Sequence, residues 1–154
     1  MRFHMKRFTL VASLALIAAC GGSSSTTTTY PAITISSPSA NSTVTLPSNK
    51  QVGLNFSVSN FQVKAPGTCG SVSTTCGHVH ILIDGPVCND TVTGAPYNGT
   101  AVSTPAAVAD FSKCPSSVQP GSHTVTLELH DDQHGVVKDA NGVQVQDKVT
   151  ITTN

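Results

Sequence analysis

The sequence SHTVTLELHD, residues 122–131, alternates polar and apolar side chains. Successive side chains of a β-strand point to opposite faces. One face therefore carries His123, Val125, Leu127 and Leu129, and the other carries Thr124, Thr126, Glu128 and His130. The segment predicts a strand whose apolar face is buried and whose Glu128 and His130 side chains lie on the outer face.

Shorter segments with a similar pattern recur along the chain, separated by glycine, proline and polar turn residues. They predict further strands at 32–36, 43–46, 51–58, 78–84, 97–102, 106–111 and 146–152. No stretch shows the apolar period of 3.6 residues that is typical of a helix. About seven strands in a chain of this length predict an all-β, immunoglobulin-like antiparallel β-sandwich. Because the tryptophan and inter-sheet cysteine pair of antibody domains are absent, this likeness is one of architecture.

The first residues have the features of an export signal. Arg2, Lys6 and Arg7 precede an apolar stretch at 8–19 that is too short to span a bilayer as a mature helix. The stretch ends in Ile-Ala-Ala-Cys at 17–20, which resembles the lipobox of bacterial lipoproteins. This resemblance implies that Cys20 is the lipidated first residue after cleavage. An ordinary cleavage site that happens to precede a cysteine is the alternative.

The sequence thus divides into three parts. Residues 1–19 are the lipoprotein signal peptide, 20–29 are the lipidated cysteine and a flexible Gly/Ser/Thr linker, and 30–154 are the Ig-like domain. Lipid chains on Cys20 would anchor the protein in the membrane of the bacterial cell envelope. Gly21 follows the cysteine, and by resemblance to Gram-negative lipoproteins this favours the outer membrane.

The charge of the chain argues against nucleic acid as a partner. Five lysines, eight acidic residues and no arginine follow residue 19, so the formal charge there is −3. Binding to phosphates requires a basic stripe, which this composition does not supply.

Four cysteines besides Cys20 indicate structural disulfides in an oxidising compartment. They allow three pairings, and we favour Cys69 with Cys76 and Cys88 with Cys114. The first would close the loop before strand 78–84, and the second would tie the segment after that strand to the one before Pro120. Metal or redox use of the thiols is the alternative, although the spacing is not CxxC.

Histidines are concentrated near the two central strands. In strand 78–84 the β-branched residues share the core face, so His78, His80 and Asp84 lie on the outer face. Solvent or a ligand can reach the two histidines there. If this strand is the antiparallel neighbour of 122–131, the pair lies next to Glu128 and His130, about 5 Å across. The loop residue His134 would lie over the same end of the sheet.

This set, His78, His80, His130, His134 and Glu128, predicts a site for a transition metal, Cu or Zn, with Ni as a further candidate. The alternative is a structural histidine face in which the imidazoles bond to one another and to Glu128. His123 points inward and is predicted to be structural.

The motifs GHVHILIDG at 77–85 and PGSHTVTLELHDDQH at 120–134 resemble a small Ig-like domain of exported bacterial proteins. The resemblance spans most of residues 32–152 and implies the fold and an exported location, but no particular activity. It marks His78, His80, Asp84, His123, Asp131 and His134. His130 stands where such domains often have an aliphatic residue.

Enzyme motifs are not found in the sequence. It has no G-x-S-x-G elbow, and the adjacent Ser122 and His123 face opposite ways. The predicted function is therefore a non-catalytic binding or accessory module. The alternative is a surface interaction or adhesion domain that contacts a protein or a glycan.

Overall fold

The computed structural model describes residues 29–70, 74–85, 87–89, 94, 96–115 and 120–154, and every strand predicted from the sequence has a counterpart there. Cys20 and the predicted signal peptide lie outside these residues. The strands are β1 (Ala32–Ser37), β2 (Ser42–Val44), β3 (Gln51–Ser59), β4 (Gln62–Val63), β5 (Cys76–Ile83), β6 (Gly99–Ala101), β7 (Ala106–Asp110), β8 (Gly121–Asp131) and β9 (Gln146–Thr153). A 3₁₀ turn at Phe111–Lys113 follows β7. The two-residue β4 is too short for alternation to reveal it in the sequence.

The strands form two sheets. The smaller has the order β1-β3-β7 and the larger the order β2-β9-β8-β5-β4, with β6 also paired to β5. Most pairs are antiparallel, whereas β2 with β9 and β4 with β5 are parallel. The predicted all-β sandwich is confirmed.

The core lies between the sheets and is built from the alternating apolar residues of both. The larger sheet contributes fully buried residues of β5 and β8, namely Val79, Ile81, Ile83, Val125, Leu127 and Leu129. The smaller sheet contributes Val52, Leu54 and Phe56 of β3 and Ala109 of β7. Each large apolar side chain buried in this way contributes about 1.5–3 kcal/mol. This packing fixes which face of β5 and β8 is turned away from the core.

One disulfide joins a loop to the first residue of β5, and the other joins two loops. They are Cys69–Cys76 and Cys88–Cys114, the pairing predicted from the sequence. Disulfides of this kind are typical of exported, non-cytoplasmic proteins. Within the described part of the chain, no helix is long and apolar enough to cross a membrane.

Candidate metal centre

The register between β5 and β8 brings the predicted histidines together. His78 is paired with His130, and His80 is paired with Glu128. Since the alternating core residues Val79 and Leu129 face the other sheet, the four polar side chains share the opposite face. The predicted antiparallel neighbourhood of these strands is confirmed.

The imidazoles of β5 are less exposed than expected. His78 is fully buried and His80 is 7% exposed, although both lie on the face away from the core. The ring of His130 is stacked on that of His80, with centroids 3.8 Å apart. The ring of His134 meets that of His78 edge-on at 4.7 Å. The expectation that solvent reaches both strand histidines is therefore wrong, because neighbouring rings pack over them.

His134 reaches the cluster from the turn that follows β8. Its backbone is left-handed, with φ of 65°. The Oδ1 atom of Asp131 accepts hydrogen bonds from the amides of Gln133 and Gly135 at 2.9 and 2.7 Å. The turn is thereby closed, and the exposed His134 lies over the two strand histidines.

Three of these histidines have the spacing of a metal site. One nitrogen from each of His78, His80 and His134 lies within 4.8 Å of the others. The Nε2 atoms of His78 and His80 are 2.9 Å apart. Two imidazoles on one tetrahedral zinc ion have nitrogens about 3.3 Å apart, so a small movement of side chains would admit the ion.

The environment keeps the two strand histidines neutral near pH 7. Burial, with repulsion from the His130, His78 and His134 rings, lowers the pKa of His80 to about 4. Burial also lowers the pKa of His78, followed by repulsion from His134 and His130, against a smaller opposing attraction from Asp132 and Asp131. Metals bind the neutral imidazole. At 2.9 Å one Nε2 atom of the pair donates a hydrogen bond to the other. The donating ring would bind a metal through Nε2 once its proton has moved to Nδ1, and neither ring needs a net loss of a proton.

One buried ring nitrogen of the cluster makes no hydrogen bond. Among the described residues, Nδ1 of His78 is buried and has no hydrogen-bond partner. A buried polar group in this state costs about 1–3 kcal/mol. The Nε2 atom of His123, which lies outside the cluster, is buried without a partner in the same way.

His130 and Glu128 lie beside the group of three. The Nδ1 atom of His130 donates to the backbone carbonyl of His134 at 3.1 Å, and its Nε2 lies 3.3 Å from Oε2 of Glu128. Both ring nitrogens of His130 thus face oxygen atoms. His130 thereby links Glu128 to the His134 turn.

His123 belongs to a separate structural pair. It is buried as predicted, with Nδ1 2.7 Å from Oδ2 of Asp84 and its ring edge-on to Phe111 at 5.0 Å. Asp84 was expected on the outer face with the histidines. Instead β5 ends at Ile83, Asp84 adopts a left-handed φ of 52°, and its Oδ1 accepts a hydrogen bond from the Thr124 amide at 2.7 Å. The pair joins the end of β5 to the start of β8.

Sequence reasoning missed one contact of the site, between Asp132 and the loop that precedes β5. Asp132 stands next to Asp131, and the sequence Asp-Asp at 131–132 indicates no more than a turn. Its partners are backbone amides more than 60 residues away, and no sequence pattern encodes such a pairing.

The fold and the cluster define an all-β sandwich that could hold a metal ion between one strand and one turn. Comparisons of the chain with protein-family models, curated proteins and solved structures give no match.

Proposed function

We propose that the protein is a non-catalytic, transition-metal-binding module, with the ion held by His78, His80 and His134. The convergence of three imidazole nitrogens within 4.8 Å carries this proposal. The lowered pKa values of His78 and His80 support it, since these rings are ready to coordinate at neutral pH.

The donor set favours Cu(II) or Zn(II). Imidazole nitrogen suits both ions, whereas Mg²⁺ and Ca²⁺ prefer carboxylate and carbonyl oxygens. Two ligands are fixed on the central strand β5, and the third lies on an exposed turn. Such an arrangement would let an ion enter and leave from the His134 side.

The proposed setting is the bacterial cell envelope, on the outer membrane, with Cys20 lipidated. The lipobox-like sequence at 17–20 supports the anchor, and the two disulfides support an oxidising compartment. A metal-binding module at this location would act on metal ions outside the cytoplasm.

Calorimetric titration of Zn(II) or Cu(II) tests the proposal. We would use protein purified from the envelope without a histidine tag and treated with a chelator. Near neutral pH the parent should bind about one equivalent and melt at a higher temperature with metal than without it. His80→Ala should abolish saturable binding, whereas His123→Gln, outside the cluster, should bind as the parent does. Absence of saturable binding by the folded parent would refute the metal proposal.

One feature favours the second candidate, a domain that contacts a protein or glycan. A shallow groove of about 570 Å³ follows the outer face of the larger sheet from Glu128. Its lining includes the apolar Leu82. It also includes Thr124, Thr126, Gln146 and Lys148, whose side chains offer hydroxyl, amide and ammonium groups for hydrogen bonds. A folded parent that binds no metal would leave this surface as the stronger candidate.

A further inference from the structure

The carboxylate of Asp132 is held by the loop that precedes β5. Its Oδ1 accepts hydrogen bonds from the amides of Gly67 and Thr68 at 2.7 and 3.2 Å, and its Oδ2 accepts one from the Cys69 amide at 3.1 Å. Successive backbone amides that converge on one anion form a nest. In this protein the anion is a side chain from the His134 turn.

The loop that forms this nest is fixed to β5 at both ends. Before the nest, β4 pairs with the start of β5, with Gln62 opposite Cys76 and Val63 opposite Gly77. At the end of the nest, Cys69 itself is joined to Cys76 by a disulfide. The nest and His78 are therefore attached to the same strand.

A short physical path thus connects the disulfide to the third proposed ligand. It runs from Cys69 through its amide to Asp132, and from Asp132 over two residues to His134. Without the nest, the turn would still be held by the Asp131 side chain and by the bond from His130 to the His134 carbonyl. Two backbone bonds also close it, from the Asp131 amide to Gly135 and from the His134 amide to Asp131.

We propose that the nest at 67–69 and the Cys69–Cys76 disulfide form a redox-responsive clamp that positions His134 for the metal, with Asp132 as its positioning residue. This inference rests on the proposed function. An intact disulfide holds the nest closed, Asp132 stays in it, and all three histidines meet. A broken disulfide frees the loop, and His134 is then held less firmly over the His78 and His80 pair.

The opening step is thiol–disulfide exchange with a dithiol. One thiolate of the dithiol attacks the partly exposed Cys69 sulfur and releases the thiolate of Cys76. The second thiol then displaces Cys69. The dithiol ends as a disulfide, and Cys69 and Cys76 each gain one electron and one proton.

The test compares metal affinities of the full-length protein and its variants. Asp132→Ala should weaken Zn(II) binding about tenfold, the size of effect typical when the support of a ligand is removed. Cys69→Ser/Cys76→Ser should do the same, and serine avoids leaving thiols as competing ligands. Asp139→Ala is the matched control, because Asp139 caps the neighbouring turn through the amides of Asn141 and Val143. It should bind as tightly as the parent.

A double-mutant cycle distinguishes positioning from general destabilisation. If Asp132 acts through His134, Asp132→Ala should have no further effect on affinity in a His134→Ala background. An equal loss in both backgrounds, or no loss in the parent, would overturn the clamp.

Hydrogen exchange of the metal-free protein tests the clamp independently of metal. The amides of Gln133 and Gly135 should exchange faster in Asp132→Ala, in Cys69→Ser/Cys76→Ser and in parent treated with dithiothreitol, but not in Asp139→Ala. Dithiothreitol should change nothing further in the serine variant. Unchanged exchange in the first two variants would refute the clamp. Absence of metal binding by the parent would refute the proposed function instead, and the exchange result would still show whether the loop holds the turn.

Discussion

The imidazole rings of His80 and His130 are stacked, with centroids 3.8 Å apart and planes inclined by 12°. The first ring belongs to the proposed ligand set and the second does not. Sequence reasoning grouped the two as ligands because both lie on the outer face of neighbouring strands. In the proposed site, His130 packs against the ring of His80 and fixes the plane of that ring.

Replacement of His130 distinguishes a packing contact with His80 from direct coordination of the metal. His130→Phe keeps an aromatic ring for the stack but loses the bond to the His134 carbonyl and the contact with Glu128. We expect Zn(II) affinity to fall about tenfold, the effect of a lost supporting contact. Calorimetry of parent and variant measures the change. A loss of binding as complete as in His80→Ala would show that His130 is itself a ligand.

The lowered histidine pKa values predict an acid-sensitive fold for the metal-free protein. Unfolding restores the pKa of His80 from about 4 to about 6.5, so between these values the unfolded chain binds a proton that the folded chain does not. His80 therefore makes its full contribution to the free energy of unfolding above pH ~6.5. This contribution is lost as the pH drops toward 4, and the free energy of unfolding falls by about 3 kcal/mol. The lowered pKa of His78 likewise reduces the free energy of unfolding as the pH falls.

Urea unfolding of chelator-treated protein across this pH range measures the effect. The control is His80→Gln, which should show a smaller loss of stability over the same interval. An identical pH dependence in parent and variant would show that His80 is not the source.

The close approach of β5 and β8 beside the cluster predicts that a side chain at Gly77 destabilises the fold. A Cβ at Gly77 would overlap the backbone carbonyl oxygen of His130. Gly77→Ala should destabilise the fold by about 3 kcal/mol, since the strands must separate. Gly53→Ala in β3 is the matched control, because a Cβ there has no neighbour within 4 Å. Thermal melts of both variants make the comparison, and equal melting temperatures would contradict the register at Gly77.

The sequence predicted the strands that position the site because alternation is local. The inward set of β8 and the β-branched face of β5 follow from side-chain parity, and their pairing follows from the order of strands in a sandwich. The structure confirms His78 opposite His130 and His80 opposite Glu128. Alternation shows on which face of the sheet a side chain lies. It does not show which other residues cover that face. The burial of His78 depends on ring packing by residues from outside β5.

Parity also fails where a strand ends. The alternation of β5 in the sequence places Asp84 on the outer face. In the structure its left-handed backbone directs the carboxylate to His123 and to the Thr124 amide. The nest around Asp132 was beyond prediction for a related reason, since backbone amides of a distant loop leave no signature in residue type.

The proposed lipid anchor predicts a change of location on mutation. Cys20→Ser removes the sulfur on which thioether-linked lipid would be built, so the protein should move from membranes to the soluble fraction. Fractionation and labelling with palmitate measure this change, and Cys69→Ser/Cys76→Ser should leave the location unchanged. A Cys20→Ser protein that sediments with membranes and incorporates as much palmitate as the parent would contradict the anchor.

The central claim is that His78, His80 and His134 together bind one metal ion. Pulsed electron paramagnetic resonance of the Cu(II)-loaded protein tests it most directly, because the spectrum reports how many imidazole nitrogens coordinate the ion. The parent should show three imidazole ligands, as the geometry of the cluster requires. His134→Ala should show two, and His123→Gln should retain three. A spectrum of the parent without coordinated imidazole, or one that His80→Ala leaves unchanged, would contradict the account.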